Sequence, residues 1–306
     1  ALPILPSEEF SGDGSAAGGA PDAAGGELPA AKVIKGGAPG AVMDRRAAEA
    51  PIDASTYDMV TSVEELQVWI DAAKRQGWFA FDTETTSLDY MKARVVGVSF
   101  SIEPGKAAYV PFGHDYEGAP QQLSEEFVLG SLKPLLEDAA IGKLGQNLKY
   151  DAHVLQNHGI KMQGISDDTL LESYVLDSTK RHDMDSMASR FLNVETVHFE
   201  DIAGKGVKQL TFNQIDLEQA GPYAAEDADI TLRLHQHISA QLDAKPSLQK
   251  VYKEIELPLL PILQRIERNG RSEERRVGKE CRARWARGLY KKSEKSEVGS
   301  CVISCV

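Results

Sequence analysis

The run Trp78-Phe79-Ala80-Phe81 passes without a break into Asp82-Thr83-Glu84-Thr85, so an apolar segment that must be buried ends in two acids. In an extended strand, residues i and i+2 point to the same side. Asp82 and Glu84 are therefore expected side by side at the end of a core strand. Adjacent carboxylates repel unless a cation lies between them, and a hard divalent ion such as Mg²⁺ or Mn²⁺ suits oxygen ligands. Taken alone, an Asp-x-Glu pair usually marks a strand running out into a solvated turn.

Further acids recur in two other settings. Asp151 closes Gly145-Gln146-Asn147-Leu148-Lys149-Tyr150-Asp151, a strand-to-helix junction. Its ordinary use is a negative charge in a helix's first turn, with Asn147 as the N-cap. Tyr223-Ala224-Ala225-Glu226-Asp227 lies in a long helical pattern. Tyr223 and Asp227, at i and i+4, share one face, while Glu226 and Asp229 point elsewhere. The ordinary reading here is an amphipathic helix with Tyr at the core edge and its acids in water.

The surrounding pattern is α/β. A capped helix over Ser62–Gln76 is followed by strand-like runs at Trp78–Thr83, Arg94–Ile102 and Ala107–Phe112, which read as an antiparallel meander. Helical patterns then alternate with one further strand near Lys143–Gln146; the helices lie near Ser124–Glu137, Tyr150–Gly159, Asp167–Leu176, Met184–Leu192, Leu217–Leu242 and Leu248–Asn269. A mixed central sheet flanked by helices follows. Residues 1–57, rich in Ala, Gly and Pro, are expected to be a flexible linker.

Net charge is −12, yet residues 271–306 hold ten Lys/Arg against five Asp/Glu, which leaves residues 1–270 at −17. A body so acidic argues against non-specific wrapping of duplex DNA, but an acidic pocket can still bind phosphate through metal ions. The three cysteines, Cys281, Cys301 and Cys305, all fall in the last 26 residues, so the globular part has no disulfide framework. Gly204-Lys205-Gly206 lacks the rest of a phosphate-binding loop, and His235 and His237 at i, i+2 diverge on a helix, against a zinc motif. His153, His158 and His182 are read as capping or surface residues. No run is long enough to span a membrane and no signal peptide is visible, so a cytoplasmic location is expected. The segment Arg271–Cys281 looks like a translated sequencing adapter, and residues 271–306 are expected to be non-native and dispensable.

Taken together, the three acidic motifs resemble the signature of the four-carboxylate 3′→5′ exonucleases of ribonuclease H-like fold, in the subtype with a tyrosine. FDTETTSLD, GQNLKYD, HDMDSMA, EDIAGKG, QLTFNQI and YAAEDAD are similar to the proofreading domain of the bacterial DNA polymerase I family over residues 58–270. The resemblance implies two divalent cations, with Asp82, Glu84 and Asp227 holding the one that activates water, Asp82 bridging to the second and Asp151 helping through water. It implies that Tyr223 orients the nucleophile and that Thr83, Leu88, Gln146, Asn147, Tyr150 and Phe199 meet the terminal nucleotides of a single-stranded DNA 3′ end. It further implies a monomeric exonuclease domain over 58–245 and, in ELPLLPILQRIERNG, the opening helix of a polymerase domain over 246–270. In that family the domain is continuous with an upstream nuclease and a downstream polymerase whose active site is expected to be missing here. Two rivals are a ribonuclease D-like RNA exonuclease and a non-catalytic scaffold.

Overall fold

A computed structural model describes residues 52–270. The tail expected over 271–306, and the linker expected over 1–57 as far as residue 51, lie outside the described residues. In chain order the elements that build the site are β1 (Asp58–Met59), α1 (Val63–Gln76), β2 (Trp78–Thr85), β3 (Val95–Glu103), β4 (Lys106–Pro111), α2 (Glu125–Glu137), β5 (Gly142–Gly145), α3 (Leu148–Asn157), β6 (Ile165–Asp168), α4 (Thr169–Leu176), α5 (Met184–Met187), α6 (Phe199–Ala203) and α7 (Leu217–Asp243). The sheet runs β1-β4-β3-β2-β5-β6. β2–β3 and β3–β4 pair antiparallel, forming the expected meander, while β1–β4, β2–β5 and β5–β6 pair parallel. This is the mixed sheet flanked by helices that the sequence leads one to expect, an α/β fold.

Helix α1 enters through a capping box: Glu65 donates its N–H to the Ser62 hydroxyl, and the Glu65 carboxylate accepts from the Ser62 N–H. It stops at Gly77, whose φ of 76° turns the chain straight into β2. From there β2 is buried on both faces. Phe79 and Phe81, 6.1 Å apart, pack with Phe100 of β3 at centroid separations of 5.6 and 5.7 Å, in the core that α1, α2 and α3 cover with Leu66, Ile70, Leu132, Leu136, Val154 and Leu155. Each fully buried Phe contributes about 2–3 kcal/mol. Ala80, on the other face, packs with Leu144 and with Leu232 of α7. Its small side chain lets the long helix lie close to the strand.

The structure corrects several sequence expectations. Asp167 and Asp168 end β6 instead of starting a helix, and α4 begins one residue later. Only the parallel pairing with β5 makes Ile165-Ser166-Asp167-Asp168 a strand, because its residue types do not alternate. Strand β1 and helix α6 are likewise too short to show a period. Of the three histidines, His158 is the C-cap of α3, as expected, and lies between the Val95 N–H and Glu125; His153 is instead 1% exposed and stacks on Tyr90 at 4.1 Å, and the part-buried His182 bonds the Ser173 hydroxyl. His235 of α7 pairs with Glu172 of α4 at 2.8 Å, and the neighbouring Asp167 is met by Lys253 at 2.5 Å. Each of these buried acids thus has its own cation.

After α7 come α8 (Pro246–Val251), a π turn over Tyr252–Glu256, and helix α9 over residues 257–270. Tyr252 is buried with Ile230, Leu234 and Ile238 of α7. No helix among the described residues is long and apolar enough to cross a membrane.

Behind the meander, Gly97 of β3 leaves room for the buried Tyr109 ring. A Cβ there would fall 2.2 Å from the Tyr109 hydroxyl. Gly97→Ala should therefore destabilise the fold by about 1–3 kcal/mol through overpacking, read from urea unfolding; an unchanged midpoint would show that Tyr109 can turn aside freely.

Candidate active site

The alternation of β2 decides which helix meets which residue. Asp82 and Glu84 follow Ala80 on the face covered by α7, and α7 brings Asp227 to them. Carboxylate oxygens of Asp82, Glu84 and Asp227 all lie within 4.8 Å of one another. Thr83 follows Phe81 on the opposite face, where α3 packs, and both its N–H (3.1 Å) and its hydroxyl (2.6 Å) donate to the same oxygen of Asp151. Three acids thus converge from one side, and the fourth is held against the strand from the other.

Among the described residues, no lysine or arginine stands among the main charges acting on these four acids. Burial raises Asp82 to about 6. Burial and then the neighbouring carboxylates push Glu84, Asp151 and Asp227 well above the ordinary carboxylate range. Such repulsion is what a bound cation would relieve. Glu84 Oε1 is also shut away from solvent with no hydrogen-bond partner, an uncommon and costly state for a carboxylate oxygen. Clustered hard oxygens, one of them orphaned, fit a hard divalent metal.

Tyr223, one turn before Asp227, hydrogen-bonds its carboxylate. Burial, and then Asp227, Glu84 and Asp82, drive the phenol far above its usual 10. It stays protonated and can donate, not abstract. The neighbouring acids of α7 do not face water. Glu226 is buried and accepts from the Val197 N–H. Asp229 accepts from the Tyr57 hydroxyl, the Gly105 N–H and Arg233 Nε at 2.8–3.0 Å. Both are fastenings of the helix.

The remaining sequence candidates divide. Phe199 stacks near Phe212 and lies 6.4 Å from the Tyr223 ring. The Tyr150 hydroxyl sits 2.6 Å from Thr85 Oγ1 and donates to the Ser87 carbonyl, beside Leu88, which is 93% exposed. Gln146 has both ends of its amide committed, donating to the His182 carbonyl and accepting from the Thr169 hydroxyl. Asn147 occupies the N-cap position of α3 in the left-handed region, φ 62°, but its side chain caps nothing. Asp168 does the capping instead, accepting from the N–H groups of Asn147 and Leu148. A fifth acid went unnoticed in the sequence: Asp185 of α5, held by the Thr196 hydroxyl and His198 at 2.6 and 2.8 Å, adds to the charge felt by Asp227 and Tyr223. It lies inside HDMDSMA, but nothing in the spacing of that motif aims it at the site.

A family model described as 3′-5′ exonuclease matches residues 57–243. The chain belongs to the 3′–5′ exonuclease family of DNA polymerase I. It is 56% identical over 227 residues to DNA polymerase I of Pseudomonas aeruginosa, covering 73% of this chain and 25% of that protein. DNA polymerase I of Rhizobium leguminosarum is 39% identical over 289 residues, covering 85% of this chain and 28% of the relative. The chain thus spans about a quarter of the length of these relatives. Among solved structures, the polymerase domain of Pol1 from M. smegmatis in complex with DNA primer-template and dNTP superposes with a TM-score of 0.54 at 18% identity, over 68% of this chain and 31% of that one, a likeness of fold.

The raised carboxylates fix a sign for pH dependence. A group whose folded pKa lies above its unfolded value binds its proton more tightly in the fold, so the metal-free chain is penalised as pH rises through the folded value. With Asp82 at about 6, the metal-free protein should melt at a lower temperature at pH 8 than at pH 5.5, and Asp82→Asn should flatten that slope. A steeper slope in Asp82→Asn would contradict the reading.

Proposed function

We propose that this domain removes nucleotides singly from the 3′ end of single-stranded or frayed DNA, using two divalent cations, Mg²⁺ or Mn²⁺. The observation that carries the proposal is the convergence of Asp82, Glu84 and Asp227 within 4.8 Å, with no lysine or arginine among the main charges that the described residues exert on them and one Glu84 oxygen buried and unpartnered. When bound, two such cations supply an activated water and offset charge on the phosphoryl group in flight.

The protein's own groups divide the work. Asp82, Glu84 and Asp227 would hold one ion, and Asp82 with Asp151 the other; the Thr83 donors fix the Asp151 carboxylate by one of its oxygens. Tyr223 keeps its proton, which it gives to the Asp227 carboxylate in a hydrogen bond, and positions the attacking water through its hydroxyl oxygen, since a phenol so hard to ionise is no general base. Phe199, beside Tyr223, and the exposed Leu88, beside Tyr150, offer apolar surfaces to the last bases of a strand that has come unpaired. A mispaired terminus frays more readily than a paired one, which turns a preference for single strands into proofreading. DNA is favoured over RNA as substrate by the DNA polymerase I relatives.

Chelation by EDTA should abolish degradation of 3′-labelled single-stranded DNA; activity persisting in chelator would rule out the metal reading. Losing a metal ligand forfeits several kcal/mol of transition-state stabilisation, so Asp151→Ala and Asp227→Ala should each slow turnover by about 10²-fold or more. Glu226→Gln should instead keep most of the rate and lower the melting temperature, because Glu226 anchors a backbone N–H. Equal rate losses at Glu226 and Asp227 would mean that α7 presents a different face.

A further inference from the structure

Helix α3, which carries Asp151, is gripped along its outer side by the helical segment that follows α7. The Glu267 carboxylate spans Lys149 Nζ at 2.6 Å and His153 Nε2 at 3.0 Å, residues two before and two after Asp151. Arg268 donates to the His153 carbonyl at 2.8 Å and to Asn157 Oδ1 at 2.6 Å. His153 is pressed between this contact and the Tyr90 ring. A second grip lies at the start of α3: the Tyr252 hydroxyl accepts from the Asp168 N–H at 3.0 Å and faces Asp167 at 3.2 Å, and the Asp168 carboxylate in turn caps α3. α3 is thus fixed on one side by Thr83 acting on Asp151 and on the other by residues of 252–268.

We infer that Glu267 is a positioning residue for the exonuclease site: by bridging Lys149 and His153 it sets the rotation of α3, and through it the distance from Asp151 to the Asp82, Glu84 and Asp227 group. The segment 246–270, expected from the sequence to open a polymerase domain, would then tune the affinity of the site for its second cation. The inference rests on the two-cation reading above. It assigns Glu267 no contact with substrate or metal; the effect passes entirely through the helix.

The test uses the 306-residue chain with Glu267→Gln, nearly isosteric and free of charge, and Lys149→Met. Mn²⁺ binding is followed by electron paramagnetic resonance, and exonuclease rate by titration of Mn²⁺ on 3′-labelled single-stranded DNA. Each variant should weaken the looser Mn²⁺ site about three- to tenfold, at the low end of what outer partners contribute. The rate at saturating Mn²⁺ and the KM for DNA should stay within about twofold. The double variant should be no worse than the singles, as coupled partners require. Glu254→Gln, on the same segment but in an exposed pair with Lys250, should bind Mn²⁺ as the parent does. A purely structural role would instead lower the melting temperature while leaving Mn²⁺ affinity unchanged, and that result overturns the inference, as does additivity in the double variant. Should the parent chain bind no Mn²⁺ and cleave no DNA, the two-cation reading itself fails and takes this one with it. Parent activity with unaltered Mn²⁺ binding in the variants sinks the positioning role alone.

Discussion

The burial of β2 on both faces is the constraint on which the site depends. A strand covered on one side would show its acids to water, where two carboxylates cost little and bind little. Here Phe79 and Phe81 commit one face to the core beneath α1, α2 and α3, and Ala80 commits the other to α7. The helices that cover the strand's apolar part extend past its end, so the side chains that follow are met by helical residues and left only part-exposed to solvent. The same packing that stabilises the fold therefore assembles an electrostatically unfavourable cluster. The core outweighs that repulsion, which leaves the carboxylates with a strong demand for a cation.

Much of this was legible in the sequence because the relevant patterns are short-range. The i, i+2 spacing of Asp82 and Glu84 and the i, i+4 spacing of Tyr223 and Asp227 each fix a face without knowledge of the rest of the fold, and the meander announced itself through alternation and turns. What escaped depends on pairing between distant segments. Ile165–Asp168 is a strand only because β5 lies beside it. Asn147 looked like a cap, yet Asp168, 21 residues on, does that work. Glu226 and Asp229 looked like solvated acids of an amphipathic helix, and their burial follows from the Val197 backbone and the Tyr57, Gly105 and Arg233 groups, none of which a helical wheel can show. Asp185 reaches the site from a four-residue helix too short to carry a period.

The contrast between the two acidic clusters is instructive. Asp167 and Glu172 are buried more deeply than Asp82 and Asp227, yet each has a cation of its own, Lys253 and His235. In that arrangement the charges are spent holding α4, α7 and the segment after α7 together. At the end of β2 no such cation stands beside Asp82, Glu84 and Asp227 among the described residues; one glutamate oxygen is left unpartnered in each cluster, of Glu172 and of Glu84, so the missing cation is what sets the second cluster apart. Depth of burial does not distinguish a structural carboxylate from one available for chemistry; the balance of charge around it does.

The shape of the sheet has a consequence for how such a domain behaves in company. Its outer strands are the two-residue β1 and the four-residue β6, and Lys253 also leans toward the Ser166 carbonyl of β6. Short margins of this kind, one of them next to a lysine, give a foreign strand almost no ladder to extend. A domain that must keep an acidic cleft open while crowded against other chains is helped by a sheet with so little free margin, which does not invite edge-to-edge association.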